Sequence, residues 1–125
     1  MRLMAAKQSI LGIGGVFFKA RDPAGLAAWY REHLCVPVAA EGTHAVLAAS
    51  EGSTIWSTFP ADTDYFAPSS APFMLNYRVA DLDAMLKQLR EAGLTVDERI
   101  EESEFGRFGW AMDPEGNRFE LWQSP

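Results

Sequence analysis

Glu120, within the run Arg118-Phe119-Glu120-Leu121-Trp122, is the residue with the clearest chemical potential. A carboxylate held among Phe and Trp is desolvated, which raises its pKa and suits it to general acid or base work. The competing reading is a structural ion pair or hydrogen bond, and it is favoured because buried charges are normally partnered. Nothing else in the chain is as pointed. Cys35 is the single cysteine, so it forms neither an internal disulfide nor a cysteine metal cluster. Following an apolar helix end and with no local signature that supplies a base, it reads as a small buried hydrophobe. His33, beside the same helix end, suits dipole complementation on the surface. Asp97, Glu98, Glu101, Glu102 and Glu104 read as a solvated strand edge or loop. Gly12-Ile13-Gly14-Gly15 lacks the spacing and the following helix that dinucleotide binding needs.

The elements that must hold Glu120 repeat. Strand-like Val16-Phe17-Phe18 leads to Asp22 and then to Leu26, Trp29, Tyr30 and Leu34 at helical spacing. Strand-like Met74 to Val79 leads to Asp81 and then to Leu82, Met85, Leu86 and Leu89. The two Asp residues lie 59 apart, each where a helix N-cap is wanted. Ala92-Gly93 supplies a glycine stop to the second helix. Each half then offers three short strands: Val36–Ala39, His44–Ala49 and Ser53–Phe59, against Leu94–Ile100, Arg107–Met112 and Arg118–Gln123. The turns are Glu51-Gly52 and Asp113-Pro114-Glu115-Gly116-Asn117, the latter with Pro early and Gly late.

The expected fold is therefore α+β: two pseudo-symmetric βαβββ modules forming a curved mixed sheet around a cleft. Module 1 covers about residues 8–60, the linker 61–72, and module 2 about 73–125, all within a single domain. Neither half is long enough to bury a comfortable core alone. A ferredoxin-like βαββαβ order is the competing architecture, and it leaves one strand per half unplaced.

Composition agrees with a globular domain of 125 residues, 48% hydrophobic and 22% charged. A net charge of −6 argues against nucleic acid and anionic membranes as partners. Arg2 and Lys7 before the apolar run Ile10 to Phe18 superficially suggest a secretory signal. The run holds three glycines, ends at Lys19 and falls short of the roughly 20 apolar residues of a membrane span, so it is read as a first strand in a cytoplasmic protein.

The blocks Gly15 to Asp22 with Ala28-Trp29-Tyr30, Tyr77 to Ala84, and Phe108-Gly109-Trp110 through Asp113-Pro114-Glu115-Gly116-Asn117-Arg118-Phe119-Glu120-Leu121-Trp122 together resemble the vicinal oxygen chelate superfamily. That superfamily includes glyoxalase I, bleomycin-resistance proteins and extradiol dioxygenases. The resemblance implies two βαβββ modules curled around a cleft, commonly in a homodimer. It also implies four metal-ligand positions: one seven residues before each capping Asp, and one on the last strand of each module. Here these positions hold Gly15, Met74 and Glu120, with Trp56 in the fourth when the closing hairpins are aligned on Gly52 and Gly116. Glycine has no side chain, indole only donates, and a thioether is a poor ligand for hard divalent ions. His44, with Asn76 as a weak oxygen donor, is the remaining route to a metal site. The expectation is no metal and no cofactor.

With Gly15 and Met74 facing the cleft, strand alternation lines it with Phe17, Trp56, Met74, Asn76, Arg78, Glu120 and Trp122. Arg78 and Asn76 are then the nearest partners for Glu120. An apolar, aromatic lining with a few polar groups is that of a small-molecule pocket; the plain alternative is a filled core. Three functions follow from the resemblance and the lining. The first is a metal-free protein binding a small, partly aromatic ligand, on which Phe17, Trp56 and Trp122 stack. The second is a metal-dependent glyoxalase-like lyase or isomerase, or a ring-cleaving dioxygenase. The third is a metal-free enzyme using Glu120 as acid–base catalyst.

Overall fold

Both capping aspartates do what their positions require. In the computed structural model, which describes residues 7–34, 36–49 and 52–125, Asp22 Oδ1 accepts the Gly25 backbone N–H and Asp81 Oδ1 accepts that of Ala84, each at 3.0 Å. Helices α1 (Pro23–Leu34) and α2 (Leu82–Glu91) start there. After α2, Gly93 takes φ +84°, and the Leu94 N–H bonds back to Leu89 O, a turn open to glycine at little strain. Cys35, Glu51 and the side chain of His33 lie outside the described residues.

Seven strands form one curled mixed sheet: β1 (Ile10–Ala20), β2 (His44–Ala49), β3 (Gly52–Pro60), β4 (Phe73–Val79), β5 (Glu101–Ser103), β6 (Gly106–Met112) and β7 (Arg118–Gln123), in spatial order β2-β3-β1-β4-β7-β6-β5. The repeat is visible in the ladder. β1 runs parallel to β3 and β4 parallel to β7, while β1 and β4 join the modules antiparallel. This is the α+β arrangement expected from the sequence. The β2–β3–β1 order sets aside the ferredoxin-like alternative.

Two expected strands do not form. Residues 36–39 make no ladder, since Pro37 has no N–H to donate and the Val38 N–H turns back to Val36 O. Val38 is nevertheless buried, packing with Ala27, Ala45 and Trp56. The stretch 94–100 keeps one bridge, Val96 to Ala111, before Asp97 Oδ1 captures the Arg99 N–H and turns the chain.

The two helices cover the convex face unequally. α2 buries Leu82, Met85 and Leu86 against Val79 and Leu121. α1 buries Ala27 and rests Tyr30 on Phe18 and Trp56, leaving Trp29 50% exposed. The expected apolar stripe of α1 is thus rotated, with Ala27 taking the core position in place of Trp29. Among the described residues, no helix is long and apolar enough to cross a membrane.

Candidate functional site

On the concave face, β4 and β7 pair Asn76 with Glu120, and β6 sets Trp110 against Glu120 from the other side. The carboxylate lies 2% exposed and takes three hydrogen bonds. Asn76 Nδ2 donates to Oε1 at 2.6 Å, while Trp110 Nε1 at 2.9 Å and the Tyr65 hydroxyl at 2.5 Å donate to Oε2. Burial pushes the Glu120 carboxyl above its ordinary range, and the hydrogen bonds from Tyr65, Asn76 and Trp110 together with the positive charge of Arg118 pull only part of the way back. The Tyr65 hydroxyl is also pushed up, by its own burial and then by the adjacent carboxylate.

Tyr65 comes from the inter-module segment, which the sequence reading treated only as a linker. Phe66 from the same segment is fully buried, in a cluster with Phe17, Met74 and Trp110. The segment therefore closes the base of the concave face. The signal for this was present in Tyr65-Phe66, two adjacent aromatics inside an otherwise Ala-, Pro- and Ser-rich stretch.

Above this base lies a cavity of about 280 Å³, small for a ligand pocket. β1 contributes Phe17, β2 His44 and Val46, and β3 Ile55. β4 contributes Asn76, and Glu120 and Trp122 come from β7. Phe108 of β6 and Phe105 of the β5–β6 turn complete the wall. Phe108 and Trp122 lie parallel, 6.0 Å between ring centres, and Trp122 Nε1 donates to Phe105 O at 2.7 Å, which ties the turn to the wall. Phe105 itself is 65% exposed at the mouth.

Of the residues assigned to the cleft from sequence, Phe17, Asn76, Glu120 and Trp122 meet at this cavity. Met74 shares their face but is packed beneath, 1% exposed. Arg78 runs to the strand ends, where Nη1 donates to Ile13 O and Ser53 O, both at 2.8 Å, so it is not the partner of Glu120. Trp56 is a correction. It lies on the opposite face, against Phe18, Tyr30 and Ala27, and Ile55 takes the cavity position.

The error is one of register. The ladder pairs Phe17 with Ser57 and Asn76 with Glu120, so Ser57 is the counterpart of Glu120. The β2–β3 turn closes on Ala49 and Gly52, whereas the β6–β7 turn is wider, between Met112 and Arg118. Aligning the two on glycine slipped the register by one residue and reversed the face. His44, Val46, Ile55, Phe105, Phe108, Tyr65 and Trp110 were not assigned to the cleft, although His44 was named as a metal alternative. A bulge in β1 between Ile13 and Gly15 sets Gly14 against Asn76, where a Cβ would come within 2.1 Å of Oδ1, so glycine is required for the approach.

The residues do not fit a chelated metal. Gly15 and Ser57 offer at most one hydroxyl, Met74 is a buried thioether, and three protein donors leave Glu120 about one acceptor site, with His44 a single imidazole on the same cavity. No group of three His, Cys, Asp or Glu among the described residues converges on a point.

Residues 15–122 match the sequence profile described as the glyoxalase-like domain. The chain belongs to the glyoxalase-like domain family. Solved structures agree in fold. Methylmalonyl-CoA epimerase from Streptomyces coelicolor, in complex with 2-nitronate-propionyl-CoA, superposes with a TM-score of 0.71 at 18% identity, covering 93% of this chain and 99% of that one. The epimerase from Mycobacterium tuberculosis gives 0.68 at 22% identity, covering 98% and 93%. A glyoxalase/bleomycin resistance protein/dioxygenase superfamily member from Vibrio splendidus 12B01 gives 0.59 at 12% identity, covering 95% and 100%. At these identities the likeness is one of fold. No curated protein matches the chain in sequence. Function in this glyoxalase-like chain must therefore be argued from its own site.

Proposed function

We propose that the protein binds a small, partly aromatic molecule in this cavity without a metal ion. The observation that carries the reading is the half-open cavity of about 280 Å³, walled by Phe17, Ile55, Phe108 and Trp122 and floored by a single hydrogen-bonded carboxylate. Apolar walls with few fixed polar groups bind by area and shape, and aromatic rings add stacking to both.

A second reading is favoured by one feature. Glu120 reaches the cavity wall with its pKa lifted, as a general acid or base requires. Against it, three protein donors hold the carboxylate still, and the one titratable group among them, the Tyr65 hydroxyl, is itself pushed up by burial and so gives up its proton poorly.

The test is tryptophan fluorescence with p-cresol, benzyl alcohol and quinoline. Trp122 lines the cavity, so a saturable change that disappears in Trp122→Phe is expected. Absence of saturation across the panel would sink the reading. So would calorimetric binding of one divalent ion per chain, tighter than micromolar, to chelator-treated protein. Slow exchange of a substrate C–H proton with solvent, abolished by Glu120→Gln, would favour acid–base catalysis.

A further inference from the structure

We infer that the ligand carries a cationic nitrogen, a protonated amine on a one- or two-ring aromatic body, seated against the Glu120 carboxylate. The inference rests on the binding reading above and specifies its ligand class. Asn76 Nδ2, Trp110 Nε1 and the Tyr65 hydroxyl all donate to Glu120, and an indole N–H can do nothing else, so the shell favours the ionised carboxylate against the burial that opposes it.

The shell contains no counter-charge. Among the described residues, every ion pair within 4.0 Å involves other carboxylates: Glu91, Glu101, Asp83, Glu102 and Asp97. Arg118, whose positive charge acts on Glu120, is committed to Asp97 at 3.3 Å and to the face of the Trp110 ring at 5.2 Å. Glu120 is thus hydrogen-bonded but not charge-paired. A buried anion in that state gains most from a cation.

Three further features favour the same class. A carboxylate offers about four acceptor sites, of which the three donors use three, and Glu120 forms part of the cavity wall. The parallel Phe108 and Trp122 rings, with Phe17, supply aromatic surfaces that attract cations. The net charge of −6 attracts a cation and repels an anion at long range. The cavity volume limits the body to one or two rings.

Phenethylamine, phenethyl alcohol and phenylacetate share a ring and differ in charge at neutral pH. Calorimetric titration of the full chain with each should give binding of the amine about ten-fold or more tighter than the alcohol, as expected for a charge-assisted hydrogen bond. Phenylacetate should bind weakest. In Glu120→Gln the amine-to-alcohol affinity ratio should fall to about one. Should that variant fail to fold, the amine-to-alcohol ratio of the unmodified protein decides. Equal or tighter binding of the alcohol, or tightest binding of phenylacetate, would overturn the cation assignment and leave aromatic binding standing. Failure of all three, together with the neutral panel, would overturn both.

Discussion

The two modules place different chemistry on the same backbone. In module 2 the ladder brings Asn76, Glu120 and Trp110 side by side, and in module 1 the corresponding neighbours are Phe17, Ser57 and His44. The first set is a buried hydrogen-bonded network, with Asn76 at 1% and Glu120 at 2% exposure and Asn76 Oδ1 left without a partner. The second is open. Phe17 supplies apolar wall, Ser57 bonds only weakly to its neighbouring carbonyl at 3.5 Å, and His44 is exposed at the cavity rim. A twofold backbone therefore does not carry a twofold site. One half anchors the polar floor and the other completes the wall.

This asymmetry makes Glu120 and Ser57 the positions where mutations diverge most. Glu120→Ala leaves the Tyr65, Asn76 and Trp110 donors buried without an acceptor and should cost about 3 kcal/mol in urea denaturation. Ser57→Ala should stay within about 0.5 kcal/mol. Similar losses at both positions would mean that module 1 holds a network too. Next in size is the pair Trp110→Phe and His44→Phe. Trp110 is fully buried, donates to Glu120 and has the guanidinium carbons of Arg99 and Arg118 at 4.7 and 5.2 Å from its ring centre. Its loss should cost about 2 kcal/mol, while the rim substitution should change stability little.

The same contrast marks what could be read from sequence. The scaffold was legible because it rests on local signals: Asp22 and Asp81 as caps, helical spacing after each, and Gly93 as a stop. The wall was half legible. Phe17, Asn76, Glu120 and Trp122 follow from alternation along a strand whose face is known. Trp56 did not, because its face depended on two hairpin turns of different width. Tyr65 was missed because its bond to Glu120 spans 55 residues and comes from a segment without regular structure. No periodicity announces such a contact. Pro37 and Asp97 show the opposite limit, since each sits in a stretch expected to be a strand and breaks the ladder, Pro37 for want of an N–H and Asp97 through its side chain.

A smaller effect is set by pH. The folded chain holds a proton on Glu120 more tightly than the unfolded chain, because burial lifts that carboxyl above the ordinary 4.5. Stability from this group is present below the unfolded value and is lost as pH rises through the raised folded one. Glu120→Gln should remove that slope. Denaturation curves of the two proteins should therefore run parallel in acid and draw apart in the unmodified protein's disfavour above it. Asp97 works in the other direction. The Arg99 N–H and Arg118 hold it below the usual carboxylate range, so its contribution is lost as pH falls, and Glu120→Gln should leave that acid limb unchanged. A flat difference between the two proteins across the range would mean that Glu120 is not desolvated in solution.

The helix caps should show the smallest contrast, and a null result there is informative. Asp22 and Asp81 make the same bond at the same 3.0 Å, one to Gly25 and the other to Ala84. Each substituted by Ala should cost about 1 kcal/mol. Equality would show that the modules remain alike in what starts their helices, with the divergence confined to the concave face. A loss at Asp81 well above that at Asp22 would instead extend the asymmetry to the scaffold. It would follow from packing, because α2 buries Leu82, Met85 and Leu86 where α1 buries Ala27 alone among its described side chains, and a frayed first turn would loosen Leu82 directly.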